Sequence, residues 1–226
     1  MPSAGIAASA GPLFAAAPFA VAMGLLGILL SPLAELLIAR TLPRLGGLPG
    51  ARTRITTAAL TGLLCAALAL RFGTEWSLPA FLLLAILGVQ LGRVDLAHHL
   101  LPNPLVLTLL VAGLALLVLG SSAAAEWAEL LRAAAGAAIL FVVFLVLALI
   151  SPNGIGMGDV KLAAPVGLYL GYLGWSQLFY GGALGFVLGG ILSAVLIRLK
   201  RANLSSEIAF GPSMLAAALG TTLLAS

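Results

Sequence analysis

Long apolar runs, separated by short charged or Pro/Gly-rich segments, fill almost the whole of this sequence. A helix needs about 20 apolar residues to cross about 30 Å of hydrocarbon, so a chain of this length holds about eight crossings. The runs are continuous rather than alternating, which favours helices over membrane β-strands. We predict an all-α polytopic membrane protein, one domain over residues 1–226. The predicted spans are 13–39, 55–71, 78–93, 104–120, 133–150, 160–174, 176–197 and 208–225.

The composition excludes several classes of protein. Charged residues make up 8% of the chain and hydrophobic residues 62%, whereas a soluble domain has about 25% charged residues. A single cysteine, Cys65, permits no internal disulfide or cysteine cluster. The basic residues are scattered rather than patched, so we expect no nucleic-acid partner. No basic segment precedes the first apolar run, which predicts a lead-in to the first span rather than a signal peptide.

The distribution of basic residues predicts the orientation in the lipid bilayer. Every second connection, beginning with the short loop 40–54, contains basic residues: Arg40, Arg44, Arg52, Arg54, Arg93, Lys161, Arg198, Lys200 and Arg201. The opposite side has only Arg71 and Arg132. Because cytoplasmic loops are enriched in Lys and Arg, we expect loops 40–54, 93–103, 151–161 and 198–207 in the cytoplasm and both termini outside. Three tryptophans at the opposite span ends fit an interfacial aromatic belt: Trp76, Trp127 and Trp175.

The chain has two aspartates, and each lies at a predicted cytoplasmic span end. Asp95 is in GRVDLAHHLLPNPL and Asp159 is in SPNGIGMGDVKL. A carboxylate within the bilayer costs about 2.5–3.5 kcal/mol at a helix centre, so it usually has a function; the alternative is an interfacial residue or a helix cap. Two neighbouring carboxyls can share a proton, activate water and polarise a peptide carbonyl. This aspartic-protease chemistry needs no metal and no cofactor, and we expect neither.

Other residues near the aspartates allow two interpretations each. Gly154, Gly156 and Gly158 could let an extended substrate approach, or form an ordinary glycine-rich turn. Lys161 could stabilise the Asp159 anion or anchor the span at the interface. For His98 and His99 we favour solvation at the interface over a role beside Asp95. Two prolines around Asn103, Pro102 and Pro104, predict the end of the helix that carries Asp95. Glu35 could pair with Arg40.

Glycines spaced four residues apart indicate close packing between helices. They are Gly167 and Gly171 in the sixth predicted span and Gly181, Gly185 and Gly189 in the seventh. Small residues at this spacing let helix backbones approach closely in lipid. We favour this packing role over a catalytic one.

Three short motifs resemble those of the type IV prepilin peptidases, aspartic membrane peptidases that cleave pilin-like precursors. They are GxGD at Gly156–Asp159 followed by VKL, the segment from Asp95 to LPN at Leu101–Asn103, and FGP at Phe210–Pro212. The resemblance implies that Asp95 and Asp159 are the catalytic pair. It also implies supporting or substrate-binding roles for the motif residues Gly156, Gly158, Lys161, Pro102, Asn103, Phe210, Gly211 and Pro212.

The resemblance further implies a substrate and a location. The substrate would be a prepilin-like precursor whose short basic leader ends in Gly and precedes an amphipathic or apolar helix. The protein would lie in the cell membrane with its active site facing the cytoplasm. Longer members have paired CxxC motifs that bind zinc between the first two spans. Loop 40–54 has 15 residues and no Cys, which puts N-methylation of the product in doubt.

Three other functions stay open at this point. A transporter or channel would need ionisable residues along a path near the bilayer midplane. A structural membrane scaffold would make the two motif aspartates a coincidence. A presenilin-like protease that cuts inside the bilayer shares GxGD, but its first aspartate usually follows Tyr, and Asp95 follows Val94.

Overall fold

The computed structural model describes residues 7–43, 47–150, 155–198 and 210–225. Within these ranges the chain forms α-helices and no strands. The helices are α1 (Ala7–Thr41), α2 (Ala51–Phe72), α3 (Leu78–His98), α4 (Asn103–Ala124), α5 (Trp127–Ile150), α6 (Met157–Leu173), α7 (Trp175–Arg198) and α8 (Gly211–Leu224). Six are long and apolar enough to cross a membrane, whereas α6 and α8 have 17 and 14 residues. The predicted all-α, multi-pass membrane fold is confirmed.

Several predicted spans end too early, and α3 matters most because it carries Asp95. The apolar run ends near residue 93, yet the helix continues to His98. His99 then adopts a left-handed conformation, with φ of 50°, and its N–H donates to the Asp95 carbonyl oxygen at 2.8 Å. The helix therefore ends before the two prolines. Pro102 is extended and precedes α4, where its carbonyl accepts the N–H of Leu105 at 3.0 Å.

Glycines bring neighbouring helices into backbone contact. A Cβ at Gly136 of α5 would lie 2.5 Å from the carbonyl oxygen of Gly167, and one at Gly171 would lie 2.8 Å from that of Arg132. A larger residue at Gly136 or Gly171 would force α5 and α6 apart, because the obstacle is main chain. In α7, Gly181 packs against the Leu170 side chain, where a Cβ would lie 2.7 Å from it. The predicted packing role is confirmed for Gly167, Gly171 and Gly181.

Helices α3 and α6 form the centre of the bundle. Helix α3 packs against α1, α2, α4 and α8, and α6 packs against α4, α5, α7 and α8. Phe81 of α3 and Tyr169 of α6 are fully buried and meet edge to face, with ring centroids 5.6 Å apart. The outer helices expose many large apolar side chains, for example Leu29 and Leu131. A surface of this kind suits contact with lipid rather than water.

The two ends of the bundle differ in character. Trp76, Trp127 and Trp175 are all more than half exposed at the end opposite the aspartates, which is where the predicted aromatic belt lies.

Four predicted functional or basic residues lie outside the described residues: Arg44, Gly154, Lys200 and Arg201. Parts of the predicted loops 40–54, 151–161 and 198–207 lie outside them as well.

Candidate active site

Asp95 and Asp159 lie at the same end of the bundle although they come from different helices. Asp95 lies in the last turn of α3, and Asp159 lies in the first turn of α6. Both side chains are buried, at 5% and 8% exposed. Gly158, next to Asp159, and Gly211, beside the Asp95 carboxyl, both lie against the Leu101 side chain. Two like charges in such surroundings resist joint ionisation, which suits a pair that shares one proton.

The Leu101 side chain connects the surroundings of the two carboxyls. A Cβ at Gly158, next to Asp159, would lie 3.2 Å from the Leu101 Cβ. A Cβ at Gly211, at the start of α8, would lie 3.3 Å from the Leu101 Cδ1. The short connection from α3 to α4 therefore packs between the first turns of α6 and α8. All three motifs of the sequence converge on this one place.

Gly211 contacts the Asp95 carboxyl through its main chain. A Cβ at position 211 would lie 2.7 Å from Asp95 Oδ2, closer than real Cβ contacts come. This position therefore admits only glycine if the carboxyl is to stay where it is. Asp95 Oδ2 itself is buried and has no hydrogen-bond partner among the described residues. An unpaired buried oxygen of this kind is costly, and it remains available to a proton or to a substrate group.

The two described glycines of GxGD have different surroundings. Gly156 precedes α6 in an extended conformation, and its carbonyl accepts the N–H of Asp159 at 3.0 Å. A Cβ at Gly156 would make only ordinary contact with Asp159 Oδ2, at 3.5 Å. Gly158 is the tighter position, because a Cβ there would press on Leu101. Packing rather than backbone strain therefore explains Gly158.

Lys161 and Asn103 form a hydrogen bond that the sequence did not predict. The two roles predicted for Lys161 were to stabilise the Asp159 anion or to anchor the span at the interface. Lys161 Nζ donates to Asn103 Oδ1 at 3.0 Å. This bond joins the first turn of α6, which carries Asp159, to the first residue of α4. The two residues are 58 positions apart, and each belongs to a different motif.

Phe210 and Pro212 set the position at which α8 begins. The Phe210 ring packs against those of Phe144 and Phe186, with centroids 5.8 and 5.5 Å away. It also covers Gly189 of α7, where a side chain would collide with the ring. Pro212 follows in the first turn of α8, where its missing N–H is not needed. These contacts hold Gly211 against Asp95.

A buried polar network beside the site was only partly anticipated. Glu35 is 1% exposed and accepts from Arg54 Nε at 3.3 Å and from Thr57 Oγ1 at 2.7 Å. The predicted pairing with Arg40 is wrong. Residues five apart on a helix point in different directions, and only spacings of three or four bring side chains together.

The same region contains a second chain of hydrogen bonds. Gln90 is fully buried, and its Nε2 donates to Ser31 Oγ at 3.1 Å. Arg93 Nε donates in turn to Gln90 Oε1 at 3.1 Å. These bonds tie α3 to α1 just before Asp95. Isolated polar residues inside apolar runs were the signal that could have identified this network.

His98 and His99 are both exposed at the end of α3. Exposure suits the predicted solvation at the interface. The histidines therefore border the site rather than line it.

Comparisons with known proteins relate the chain to one peptidase family. The model of the type IV leader peptidase family matches residues 82–197, which include both aspartates. The chain is similar to prepilin leader peptidase/N-methyltransferases of Stutzerimonas stutzeri and Pseudomonas aeruginosa, each 36% identical over 67% of this chain and 51% of the relative. That of Xanthomonas campestris pv. campestris is 32% identical over 80% of this chain and 62% of the relative.

The chain spans about half the length of most of the curated relatives it matches. No solved structure matches it. The family model nevertheless covers just over half of the chain and includes Asp95, Leu101, Gly158 and Asp159. On this ground the chain belongs to the type IV leader peptidase family.

Proposed function

We propose that this protein is a membrane-embedded aspartic endopeptidase that removes the short basic leader from type IV prepilin-like precursors. One observation carries the proposal: the chain's two aspartates are buried side chains at the same end of the bundle, from α3 and α6. The matched relatives are named prepilin leader peptidase/N-methyltransferase, which supports the same substrate class here.

The chemistry follows from two carboxyls that share one proton. The ionised carboxylate takes a proton from water, and the resulting hydroxide adds to the carbonyl carbon of the scissile peptide bond. The protonated carboxyl donates a hydrogen bond to the carbonyl oxygen and stabilises the charge that develops there. The tetrahedral intermediate then collapses as the amide nitrogen takes a proton and leaves. The pair returns to its singly protonated form.

The orientation fits the location of such a substrate. The predicted cytoplasmic side carries nine of the eleven basic residues. Both aspartates are on this side, where a basic leader stays because positive charge opposes its transfer across the membrane. The proposed location is therefore the cell membrane, in one membrane domain whose active site faces the cytoplasm.

N-methylation is not part of the proposal. The zinc-binding CxxC pairs of longer family members have no counterpart in loop 40–54, which has no Cys. The chain's one cysteine, Cys65, is buried at the contact of α2 with Gly27 of α1. A tetrathiolate site needs four cysteines.

The buried carboxylates argue against the transporter alternative. Within the described ranges, the buried acidic side chains are Glu35, Asp95 and Asp159. Glu35 pairs with Arg54 near the start of α2, at the same end of the bundle as the aspartates. A transport path would instead need such groups near the midplane.

The test is carboxylate-to-amide exchange at both positions. Asp95→Asn and Asp159→Asn keep the side-chain volume and lose the titratable proton, so each is expected to slow cleavage by about 10²–10⁴-fold or more. The substrate is a model precursor in lipid vesicles, with a basic leader that ends in Gly before an apolar helix. Glu75→Gln, an exposed carboxylate at the opposite end, is the matched control. Cleavage at the normal rate by either Asn variant would refute the proposal.

A further inference from the structure

An apolar groove of about 710 Å³ lies on the outer surface between α2, α3 and α8. Its walls include the exposed side chains Leu60 of α2 and Leu96 of α3. Its floor includes Gly88 and Gly92 of α3 together with Ala216 and Gly220 of α8. We call this surface the α2/α3/α8 groove.

The floor of the groove is built like a helix-packing surface. Gly88 and Gly92 are four residues apart on α3, and Ala216 and Gly220 are four residues apart on α8. In lipid, small residues at this spacing let another helix approach closely. A Cβ at Gly92 or Gly220 would meet no heavy atom within 4 Å among the described residues. Elsewhere in the bundle, glycines such as Gly136 are already covered by a neighbouring helix.

One end of the groove adjoins the candidate active site. Polar side chains are confined to this end, where Thr53, Thr57 and Arg93 lie near the start of α2 and the end of α3. Pro212 lines the same end and is bonded to Gly211, whose main chain contacts the Asp95 carboxyl. From Pro212 to Leu223 the groove follows α8 for about 16 Å, or about three helical turns.

We infer that the α2/α3/α8 groove receives the apolar helix of the precursor and leads its cleavage site to Asp95 and Asp159. The inference rests on the proposed function and adds the surface that binds the substrate. A three-turn apolar groove suits part of a membrane helix, and its polar end suits the point at which that helix leaves the lipid. This end of the groove lies beside Asp95. A lipid molecule or a second copy of the chain bound in the groove would therefore block the precursor helix from reaching the aspartates.

The first test fills the groove without disturbing the fold. Gly92→Leu and Gly220→Leu place a side chain where the chain itself has open space. Each is expected to lower kcat/KM for the model precursor by at least about tenfold, mainly through a higher KM. The added side chain would occupy the space in which the apolar helix of the precursor binds. Gly190→Leu is the matched control, since it too meets no heavy atom within 4 Å, but it lies on the exposed face of α7.

The second test locates the bound helix directly. A photoreactive diazirine side chain replaces Leu60 or Ala216 in the groove, or Leu119 of α4 as a control that is also exposed. The Asp159→Asn background keeps the precursor uncleaved. We expect the two groove positions, and not the control, to cross-link to the apolar helix of the purified model precursor. Gly92→Leu should weaken these cross-links.

The outcomes separate this inference from the proposed function. If the unsubstituted protein does not cleave the precursor, the proposed function falls, and the inference falls with it. If cleavage is normal and both leucine variants match the control, only the inference is overturned. Cross-links to lipid or to a second copy, with none to the precursor, would overturn it as well.

Discussion

Gly211 and Asp95 are in direct contact, so that a Cβ at position 211 would lie 2.7 Å from the Asp95 Oδ2 atom. The first turn of α8 therefore closes on the last turn of α3. Two motifs that are far apart in sequence are in this way parts of one site. The contact also explains why FGP accompanies the aspartates although none of its three side chains is acidic or nucleophilic.

Gly211→Ala should impair cleavage while leaving the bundle folded. The added methyl group has to displace the Asp95 carboxyl, and a shift of about 1 Å in a catalytic group can cost about 10²-fold in rate. Initial rates on the model precursor measure the effect. Gly190→Ala, at an open position of α7, should cleave at the normal rate. An unchanged rate in Gly211→Ala would contradict the role assigned to this contact.

Lys161→Met and Asn103→Ala should have effects that do not add. Both changes remove the same hydrogen bond. Because that bond is exposed, each should lower stability by only about 0.2–1 kcal/mol. The double variant should be about as stable as the less stable single variant. Thermal unfolding in detergent tests this double-mutant cycle. Fully additive losses would show that Lys161 and Asn103 act independently.

Arg54→Gln should destabilise the protein more than the exposure of Arg54 suggests. The Arg54 side chain is 39% exposed, but its partner Glu35 is buried, and the change leaves that carboxylate without its cation. We expect a loss of about 1–3 kcal/mol, the cost of an unsatisfied buried group.

Adding Glu35→Gln to Arg54→Gln should recover most of this loss. The amide oxygen can still accept from Thr57 Oγ1, and no buried charge remains. Unfolding temperatures of the single and double variants give the comparison. A double variant less stable than Arg54→Gln alone would contradict this account of the pair.

The orientation is testable by labelling from outside. In a Cys65→Ala background, single cysteines replace Leu48, in the loop before α2, or Ala124, at the end of α4; both positions are exposed. A membrane-impermeant maleimide added to intact cells should label position 124 and spare position 48, because basic loops stay in the cytoplasm. Strong labelling at position 48 would reverse the predicted orientation.

The sequence alone was sufficient for the helical fold and for the candidate carboxyls. Burial in lipid requires each apolar run to satisfy its backbone hydrogen bonds internally, so a helix is dictated locally by about 20 residues. The rarity of aspartate in such a chain singled out Asp95 and Asp159. The end of α3 was predicted too early. The apolar run indicates where the chain leaves the lipid, near residue 93, but the helix continues beyond that point to His98.

Tertiary structure alone decided which residues meet. Three contacts depend on which helices are neighbours. Lys161 bonds to Asn103, which is 58 positions away in the sequence. Glu35 pairs with Arg54 rather than Arg40, and Gly211 contacts Asp95. A helix-forming run carries no local signal for its neighbour, because lipid-facing apolar side chains gain little by exchanging lipid for another helix. Close glycine contacts and buried hydrogen bonds make that choice, and both exist only once the helices have packed.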